Sequence, residues 1–345
     1  MWNTSDLNDN ESYIGEDFSP CHMVSGKDST GVAVVYLVVF FLGLLGNSVV
    51  IYVVCLMENR RTSTDIFLMH LAVADLLFSL TLPFWAVYIY TSSWVFGTHL
   101  CKLLSGVQEA SFYGSVFLLA CISIDRYMAI VKATQFVCSQ RRVVRLVCGA
   151  VWLGACVLAM PVVVKREALL MTGYDIIVCY ENVTAEAVEA WRVSLRVLRH
   201  TLGFFLPLTV MLFCYSWTVG TLFHSRNSQK HKAMRVILCV VLAFLFCWLP
   251  NNITNFIDTL MRSQMIQNTC NFQTQMEEAL QVTEALAFTH CAINPILYAF
   301  IGKKFRNHFL MSLVKRGLVS RMVLSRYGLG SPSSSGNSRM TSITL

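Results

Sequence analysis

The chain has 345 residues, of which 55% are hydrophobic and only 14% are charged, and its formal net charge is +7. Soluble proteins normally carry about a quarter charged residues, so this composition excludes an ordinary soluble two-domain protein. The basic excess does not indicate nucleic-acid binding, because it lies where an anionic cytoplasmic leaflet accounts for it.

Seven apolar runs follow one another, and each approaches the roughly twenty residues that a helix needs to cross a bilayer. They span about 32–57, 66–90, 103–124, 146–164, 197–223, 236–257 and 285–301. Helices satisfy their own backbone hydrogen bonds, so lipid tolerates them. We therefore predict an all-α membrane protein, a seven-transmembrane helix bundle. Its predicted parts are an acidic N-terminal segment (1–31), the bundle (32–302), a short amphipathic eighth helix on the membrane surface (303–314) and a disordered Ser/Thr-rich tail (315–345).

Positive charge predicts the orientation of the bundle. Most Lys and Arg residues lie in the first, third and fifth connections and in the tail, whereas residues 1–31 carry six acids and one lysine. Because basic loops stay on the cytoplasmic side, we expect an extracellular N-terminus and a cytoplasmic C-terminus in the plasma membrane. The acidic outer surface also predicts a basic external partner.

The predicted outer side carries patterns for modification and cross-linking. Three Asn-X-Ser/Thr patterns predict glycosylation there, at Asn3, Asn10 and Asn182. An oxidising exterior makes two disulfides the default expectation for the four outer cysteines. These cysteines are Cys21, Cys101, Cys179 and Cys270. Four cysteines allow three pairings, and the residues alone do not choose among them.

Polar side chains interrupt the apolar spans. Asp75 lies in the middle of the second run, where a carboxylate needs a cation or a proton. Asn47 and Ser115 interrupt the first and third runs, and His290 and Asn294 interrupt the seventh. Such groups either form a functional network with water or only hold helices together. We favour function for Asp75 and leave both interpretations open for Asn47.

Charged residues gather near the outer ends of the third, fifth, sixth and seventh runs. They are Glu109, Arg192, Arg196, Arg199, Asp258, Arg262 and Glu284. We expect them to line one water-filled mouth. The alternative is that the longer side chains extend to the membrane interface, which suits arginine but not the short side chain of Glu284.

Two further features indicate moving parts. Asp125 and Arg126, followed by Tyr127, place an acid beside a base at the inner end of the third run, where unpaired charge is expensive. Trp248 lies beside a proline of the sixth run, where it either packs in the core or acts as a switch. Prolines predict kinks in four runs, at Pro83, Pro207, Pro250 and Pro295.

These motifs, in this order and spacing, resemble the rhodopsin-like family of G-protein-coupled receptors, and the resemblance covers almost the whole chain. The matching segments are Gly46-Asn47, Leu71-Ala-Val-Ala-Asp75, Asp125-Arg126-Tyr127, Trp152, Pro207, Tyr215, Cys247-Trp248-Leu249-Pro250 and Asn294-Pro295-Ile-Leu-Tyr298.

Within that family the chain looks most like the interleukin-8 receptors of the CXC chemokine class. Thr81-Leu-Pro83, the segment from Asp125 to Val131 and Glu284 resemble chemokine receptors in general. The segments that look most like the interleukin-8 receptors are Gln229 to Ile237, Asp258 to Arg262, Tyr298 to Gly302 and the Ser-rich ending. The chain departs from these relatives at Arg199, where they are uncharged. It also has no cysteine after Cys291 that could carry a palmitate anchor.

The resemblance implies the outer chemistry. It implies the disulfides Cys101–Cys179 and Cys21–Cys270, and a basic CXC chemokine as the external partner. The chemokine body would bind the acidic N-terminal segment while its tip enters the mouth. The implied binding residues of that segment are Asp9, Glu11, Tyr13, Glu16 and Asp17, with Tyr13 in a setting that resembles a sulfated tyrosine.

The resemblance also implies an inner switch and its partners. Arg126 would leave Asp125 as span six swings outward and admits an inhibitory-class heterotrimeric G protein. The other implied switch residues are Tyr127, Tyr215, Trp248, Pro250, Asn294, Pro295 and Tyr298. No cofactor is implied beyond a sodium ion near Asp75, held in the inactive form by Asn47, Asp75, Ser115 and Asn294. A receptor kinase and arrestin would act on the tail, at Ser331, Ser333, Ser334, Ser335, Ser338, Thr341, Ser342 and Thr344.

Three other classes of protein remain to be compared with this prediction. A transporter usually shows paired repeats, and the sequence contains none that we recognise. A chemokine-scavenging receptor that does not signal is disfavoured by the intact Asp125-Arg126-Tyr127. An enzyme is disfavoured because neither a metal-spaced cluster nor a nucleophile beside a base is apparent in the sequence.

Overall fold

The structure is a computed structural model of the chain. It describes residues 29–57, 61–131, 141–171, 175–183, 185–223, 228–262, 265–266, 269–301 and 303–317. Residues 1–28 of the acidic N-terminal segment and 318–345 of the Ser/Thr-rich tail lie outside these residues, so the predictions made for them are not tested by the structure.

The described chain forms a helical bundle with one β-hairpin. The helices are α1 (Ser29–Leu56), α2 (Ser63–Thr91), α3 (Gly97–Ile130), α4 (Arg141–Lys165), α5 (Ala185–His200), α6 (Leu206–Phe223), α7 (Ser228–Arg262), α8 (Cys270–Phe288), α9 (His290–Ile301) and α10 (Lys303–Lys315). The hairpin strands β1 (Arg166–Met171) and β2 (Ile176–Glu181) lie between α4 and α5, and a π-helical turn (Thr201–Phe205) joins α5 to α6. The predicted all-α membrane architecture is confirmed.

Five described segments are long and apolar enough to cross a membrane. They are Thr30–Leu56, Ser63–Thr91, Gly97–Ile130, Arg141–Lys165 and Ala190–Thr221. The helices also run past the predicted apolar runs. For example, α3 begins at Gly97 rather than near 103, because a helical backbone stays hydrogen-bonded where polar side chains reach the hydrated interface.

α2 begins with a capping box and is buried along its middle part. The backbone N–H of Asp65 donates to Thr62 Oγ1 at 3.3 Å, and the N–H of Thr62 donates to Asp65 Oδ2 at 2.7 Å. Such a cap contributes about 1 kcal/mol to helix stability. Further along α2, Leu71, Phe78 and Leu82 are fully buried, and the helix as a whole packs mainly against α1 and α3.

The lateral surface of the bundle, which faces away from its core, is apolar. Leu146, Leu153 and Phe246 are exposed by 73%, 67% and 67% of their surface. In water such side chains would be costly, and in lipid they are matched to their surroundings. Inside the bundle, Gly46 lets α1 approach α9, because a Cβ at that position would lie 2.8 Å from Pro295 Cβ.

Prolines interrupt hydrogen bonding without ending the helices. Pro83, Pro250 and Pro295 lie inside α2, α7 and α9, and Pro161, which the sequence analysis did not single out, lies inside α4. Span five behaves differently. Its π-helical turn immediately precedes Pro207, whose ring nitrogen has no hydrogen to donate to the preceding turn. Span seven comprises α8 and α9, which are separated at Thr289.

The β-hairpin lies across the outer end of α3. Its strands are antiparallel and pair Arg166 with Glu181 and Ala168 with Cys179. A disulfide joins Cys179 to Cys101 in the first turns of α3, with a Cα–Cα distance of 5.7 Å, and both cysteines are buried. This confirms one of the two implied disulfides. Cys270 is disulfide-bonded as well, and its implied partner Cys21 lies outside the described residues.

Candidate functional site

An outer cavity lies between the helices beneath the β-hairpin and has two connected chambers. The α5 chamber, of about 300 Å³, is lined mainly by α3, α5, α7 and α8. The α2 chamber, of about 310 Å³, is lined mainly by α1, α2, α3 and α8. Glu109, Arg199 and Glu284 line both chambers and therefore lie where they meet. A cavity of this size suits an extended peptide end or a small molecule.

Two ion pairs connect α5 to its neighbours in the α5 chamber. Arg199 Nη1 donates to Glu109 Oε1 of α3 at 2.9 Å, and Arg196 Nη2 lies 2.6 Å from Asp258 Oδ2 of α7. Arg196 Nη1 also donates to Thr259 Oγ1 at 3.1 Å. The Asp258 side chain is fully buried, so the arginine supplies the counter-charge that a buried carboxylate requires.

The other predicted charges of the mouth have different surroundings. The guanidinium carbon of Arg192 lies 4.9 Å from the ring centroid of Tyr180, a cation–π contact with strand β2. Glu284 is open to the cavity and has no ion-pair partner among the described residues. Arg262 ends α7, and its side chain is outside the description. Among the described side chains, Arg192, Arg196 and Arg199 therefore already have protein partners.

Aromatic rings form the floor of the α5 chamber. Trp248 and Phe112 are each only 2% exposed, and their ring centroids lie 4.5 Å apart. Trp248 also lies 5.2 Å from the ring of His290 on α9. A ligand that contacts this floor would therefore act on α3, α7 and α9 together, because Trp248 packs against both Phe112 and His290.

The β-hairpin and the first turns of α3 carry charges that the sequence analysis missed. Lys102 of α3 lies 3.1 Å from Glu167 Oε1 of β1, and Asn182 Nδ2 donates to Glu167 Oε2 at 2.7 Å. The hydrogen bonds from Asn182 and then from Lys102 lower the pKa of Glu167. Arg166 pairs with Glu181 at 3.0 Å across the hairpin. The available signal was the adjacent Arg166 and Glu167 and the later Glu181, but the strands were not predicted.

A second candidate site is a buried polar network in the middle of the bundle. Ser115 Oγ donates to Asp75 Oδ1 at 2.8 Å, and Asn294 Nδ2 donates to Asp75 Oδ2 at 2.8 Å. His290 Nε2 lies 3.7 Å from the same carboxylate. Asn47 binds the backbone carbonyls of Gly43 and Cys291 rather than Asp75. Three of the four predicted network residues, Asp75, Ser115 and Asn294, are thus joined by hydrogen bonds, whereas Asn47 is not bonded to Asp75.

The inner end of α3 carries the predicted acid and base in contact. Arg126 Nη2 lies 3.5 Å from Asp125 Oδ2, and both side chains are almost buried. Thr64 of α2 bridges them, since its hydroxyl donates to Asp125 and accepts from Arg126. The sequence analysis missed Thr64, because a threonine near a helix start carries no distinguishing signal.

The remaining switch residues lie on α3, α6, α7 and α9. The hydroxyl of Tyr215 lies 2.6 Å from Ser123 Oγ, which connects α6 to α3. The Tyr127 ring lies 6.0 Å from that of Phe213 on α6. Tyr298 is in α9, and its side chain is outside the description. Pro250 and Pro295 lie in α7 and α9, as described above.

The last described helix is attached to the first. Tyr52 OH of α1 lies 2.9 Å from Ser312 Oγ of α10, and the guanidinium carbon of Arg316 lies 5.0 Å from the Tyr52 ring centroid. These contacts hold α10 beside the inner end of α1. Helix α10 covers nearly the residues for which an amphipathic surface helix was predicted, and its position on a membrane stays a prediction.

Several predicted residues are outside the described chain. They are the acidic N-terminal binding residues, the glycosylation acceptors Asn3 and Asn10, and the phosphorylation sites of the tail. Asn182 is described and exposed, as a glycosylation acceptor requires. Among the described residues, no group of three His, Cys, Asp or Glu side chains could hold a metal ion.

Comparison with known proteins places these features in a family. The family model of the seven-transmembrane receptors of the rhodopsin family matches residues 46–298. The rabbit (Oryctolagus cuniculus) C-X-C chemokine receptor type 1 is 47% identical over 93% of this chain and 90% of its own length. The human receptor of the same type is 46% identical over 97% and 95%, and the mouse type 2 receptor is 46% identical over 95% and 91%.

Proposed function

The chain belongs to the rhodopsin family of seven-transmembrane receptors and, within it, to the CXC chemokine receptors; we propose that it binds an interleukin-8-type chemokine and activates an inhibitory-class heterotrimeric G protein. It is a multi-pass plasma-membrane receptor rather than an enzyme. The observation that carries the proposal is the 46% identity with the human type 1 receptor across 97% of this chain. Calcium signalling and leukocyte chemotaxis would follow from that activation.

The chemokine binds in two steps. Its basic body contacts the acidic N-terminal segment (about 6–21), whose charge attracts it and speeds the encounter. Its N-terminal tip then enters the outer cavity between α3, α5, α7 and α8. The open carboxylate of Glu284 takes a cationic group of the tip, such as its terminal amine. This requires the N-terminus outside, as basic-loop placement predicts.

The buried polar network stabilises the inactive form. Asp75 is fully buried, so its carboxylate needs a compensating cation. The carboxylate of Asp75 and the hydroxyl of Ser115 are oxygen donors, which suit a hard cation such as sodium. Asn294 holds the other carboxylate oxygen, and Asn47 holds the backbone of α9 beside it. Sodium would supply the missing positive charge.

Arg126 is the residue through which the open receptor contacts the G protein. In the closed form it lies against Asp125 and Thr64 and is nearly buried. Chemokine binding selects a form in which α7 moves outward and Arg126 is released into an inner cavity. There the guanidinium can contact a G-protein helix. A receptor kinase then phosphorylates the Ser/Thr-rich tail, and the added anionic groups recruit arrestin.

The proposal is tested on cells that express the chain and are challenged with a panel of CXC and CC chemokines. We expect a calcium response and suppression of cyclic AMP with interleukin-8-type CXC chemokines and not with CC chemokines. Arg126→Ala serves as the control, and it should reach the surface and bind chemokine without signalling. Chemokine binding without nucleotide exchange in the unmodified chain would instead identify a scavenging receptor.

A further inference from the structure

Arg199 lies at the junction of the two chambers, directly above the aromatic floor. It lines the α5 chamber and the α2 chamber, as Glu109 and Glu284 do. Its guanidinium carbon lies 4.7 Å from the ring centroid of Phe112 and 5.9 Å from that of Trp248. A ligand group bound to Arg199 would therefore lie where the two chambers meet, beside the aromatic floor.

The local backbone explains why Arg199 reaches this place. Arg199 comes near the end of α5, just before the π-helical turn. Gly203 in that turn packs against Phe112, since a Cβ at this glycine would lie 2.6 Å from Phe112 Cε1. This close approach brings the last turn of α5 over the floor and directs Arg199 toward α3.

The protein satisfies only part of the hydrogen-bonding capacity of Arg199. A guanidinium carries five N–H donors. The single hydrogen bond recorded from Arg199 to the described residues goes to Glu109 Oε1 at 2.9 Å. The Arg199 side chain is 36% exposed, compared with 17% for Glu109. Several donors therefore face the cavity, in the planar arrangement that binds a carboxylate through two parallel bonds.

The rings below also favour a cation at this point. The faces of Phe112 and Trp248 are electron-rich, and a guanidinium within about 6 Å of a ring centroid is attracted to it. Glu109 on α3 attracts it as well. The positive charge of Arg199 is thus held in place before any ligand arrives, which lowers the entropy cost of binding an anion.

We propose that Arg199 selects an anionic ligand group at the floor of the cavity. It does so by binding a carboxylate of the chemokine tip in place of Glu109. The tip carboxylate forms two hydrogen bonds where Glu109 forms one, and Glu109 turns to the water of the cavity. A lysine at the same tip position meets a like charge and is rejected. The inference rests on the proposed function and adds that the tip group bound above Trp248 is a carboxylate.

The test measures how tip charge affects affinity. The probes are interleukin-8 variants in which each residue before the first cysteine is replaced in turn by Glu, Gln or Lys. The receptors are the unmodified chain, Arg199→Gln and Arg199→Lys. Arg196→Gln is the matched control, because Arg196 lies on the same helix but pairs with Asp258 and Thr259.

At one tip position, we expect Glu to bind the unmodified receptor about tenfold more tightly than Gln, with Lys weakest. Arg199→Gln should reduce the Glu-to-Gln ratio to about one. Arg199→Lys should keep a smaller preference, because an ammonium lacks the planar fork. Arg196→Gln should retain the preference at that position even if its overall affinity is lower.

Two results would overturn the assignment: equal affinity for Glu and Gln at every tip position of the unmodified receptor, or an unchanged ratio in Arg199→Gln. A second measurement needs no chemokine. N-acetylglutamate α-methylamide, whose only carboxylate is that of the side chain, should raise the Tm of the purified receptor, whereas the uncharged N-acetylglutamine α-methylamide should not, and the effect should be lost in Arg199→Gln. Anion binding without any chemokine response would contradict the proposed function alone, whereas equal Tm shifts in both receptors would contradict the role of Arg199.

Discussion

The side-chain amide of Asn294 donates a hydrogen bond of 2.8 Å to Asp75 Oδ2, which joins α9 to α2 across 219 positions of the chain. The bond starts one residue before Pro295, where the helix lacks a backbone donor. A movement of α9 at this proline therefore acts directly on the buried carboxylate. If a cation balances Asp75 as proposed, its binding and the position of α9 should be coupled.

We predict that Asp75→Asn removes the effect of sodium on agonist affinity. The substitution keeps the shape of the side chain but removes the charge that attracts the cation. Chemokine affinity should differ between sodium and choline chloride in the unmodified receptor and be equal in the variant. Ser79→Ala is the control, because its hydroxyl binds the backbone carbonyl of Asp75 and not the carboxylate. Retained sodium sensitivity in Asp75→Asn would place the cation elsewhere.

Thr64→Val should raise basal G-protein activation. The valine keeps the size of the side chain but loses the hydroxyl that bridges Asp125 and Arg126. Losing a hydrogen bond of about 1 kcal/mol shifts the ratio of open to closed forms about fivefold. Nucleotide exchange without chemokine measures the shift. Basal exchange equal to that of the unmodified receptor would show that Thr64 does not hold the closed form.

The attachment of α10 to α1 should depend on Tyr52. Tyr52→Phe removes the hydrogen bond to Ser312 but keeps the ring beneath Arg316. The loss of about 1 kcal/mol predicts about fivefold faster amide hydrogen exchange in α10. Ser312→Ala should give the same increase in exchange rate. Combining the two substitutions should add little, because both remove the same hydrogen bond. Additive effects of the two substitutions would show that they act separately.

The receptor should lose part of its stability in acid, because Glu167 loses its hydrogen bonds with Asn182 and Lys102 when it is protonated. The pKa of Glu167 is lower in the folded chain than in the unfolded chain, because Asn182 and Lys102 donate hydrogen bonds to its carboxylate. Its contribution to stability is therefore complete above its unfolded value and is lost as pH falls through the lowered folded value. In Tm measurements from pH 3 to 7, Glu167→Gln should lie below the unmodified receptor at pH 7 and converge with it toward pH 3. Glu278→Gln, an exposed acid on α8, serves as the control. A constant difference at every pH would remove Glu167 from this account.

Much of the architecture follows from local properties of the sequence. Runs of apolar residues long enough for a bilayer determine where helices form, since each helix satisfies its own backbone. Ordered motifs such as Asp125-Arg126 and Asn294-Pro295 indicated the family that the comparisons confirmed. The sequence did not predict the β-hairpin or the π-helical turn. Strand pairing joins residues that are distant in the chain, and Pro207 predicted a kink without specifying a π-helical turn.

The sequence by itself determined that the chain crosses the membrane repeatedly and which side chains are unusual there, because burying a polar group in lipid is costly wherever it occurs. Only the tertiary structure decided which of these groups meet. It pairs Arg196 with Asp258 and Arg199 with Glu109, brings Asn294 to Asp75, and places Thr64 against Arg126. These contacts join positions far apart in the chain, and their geometry depends on how the helices rotate and approach one another.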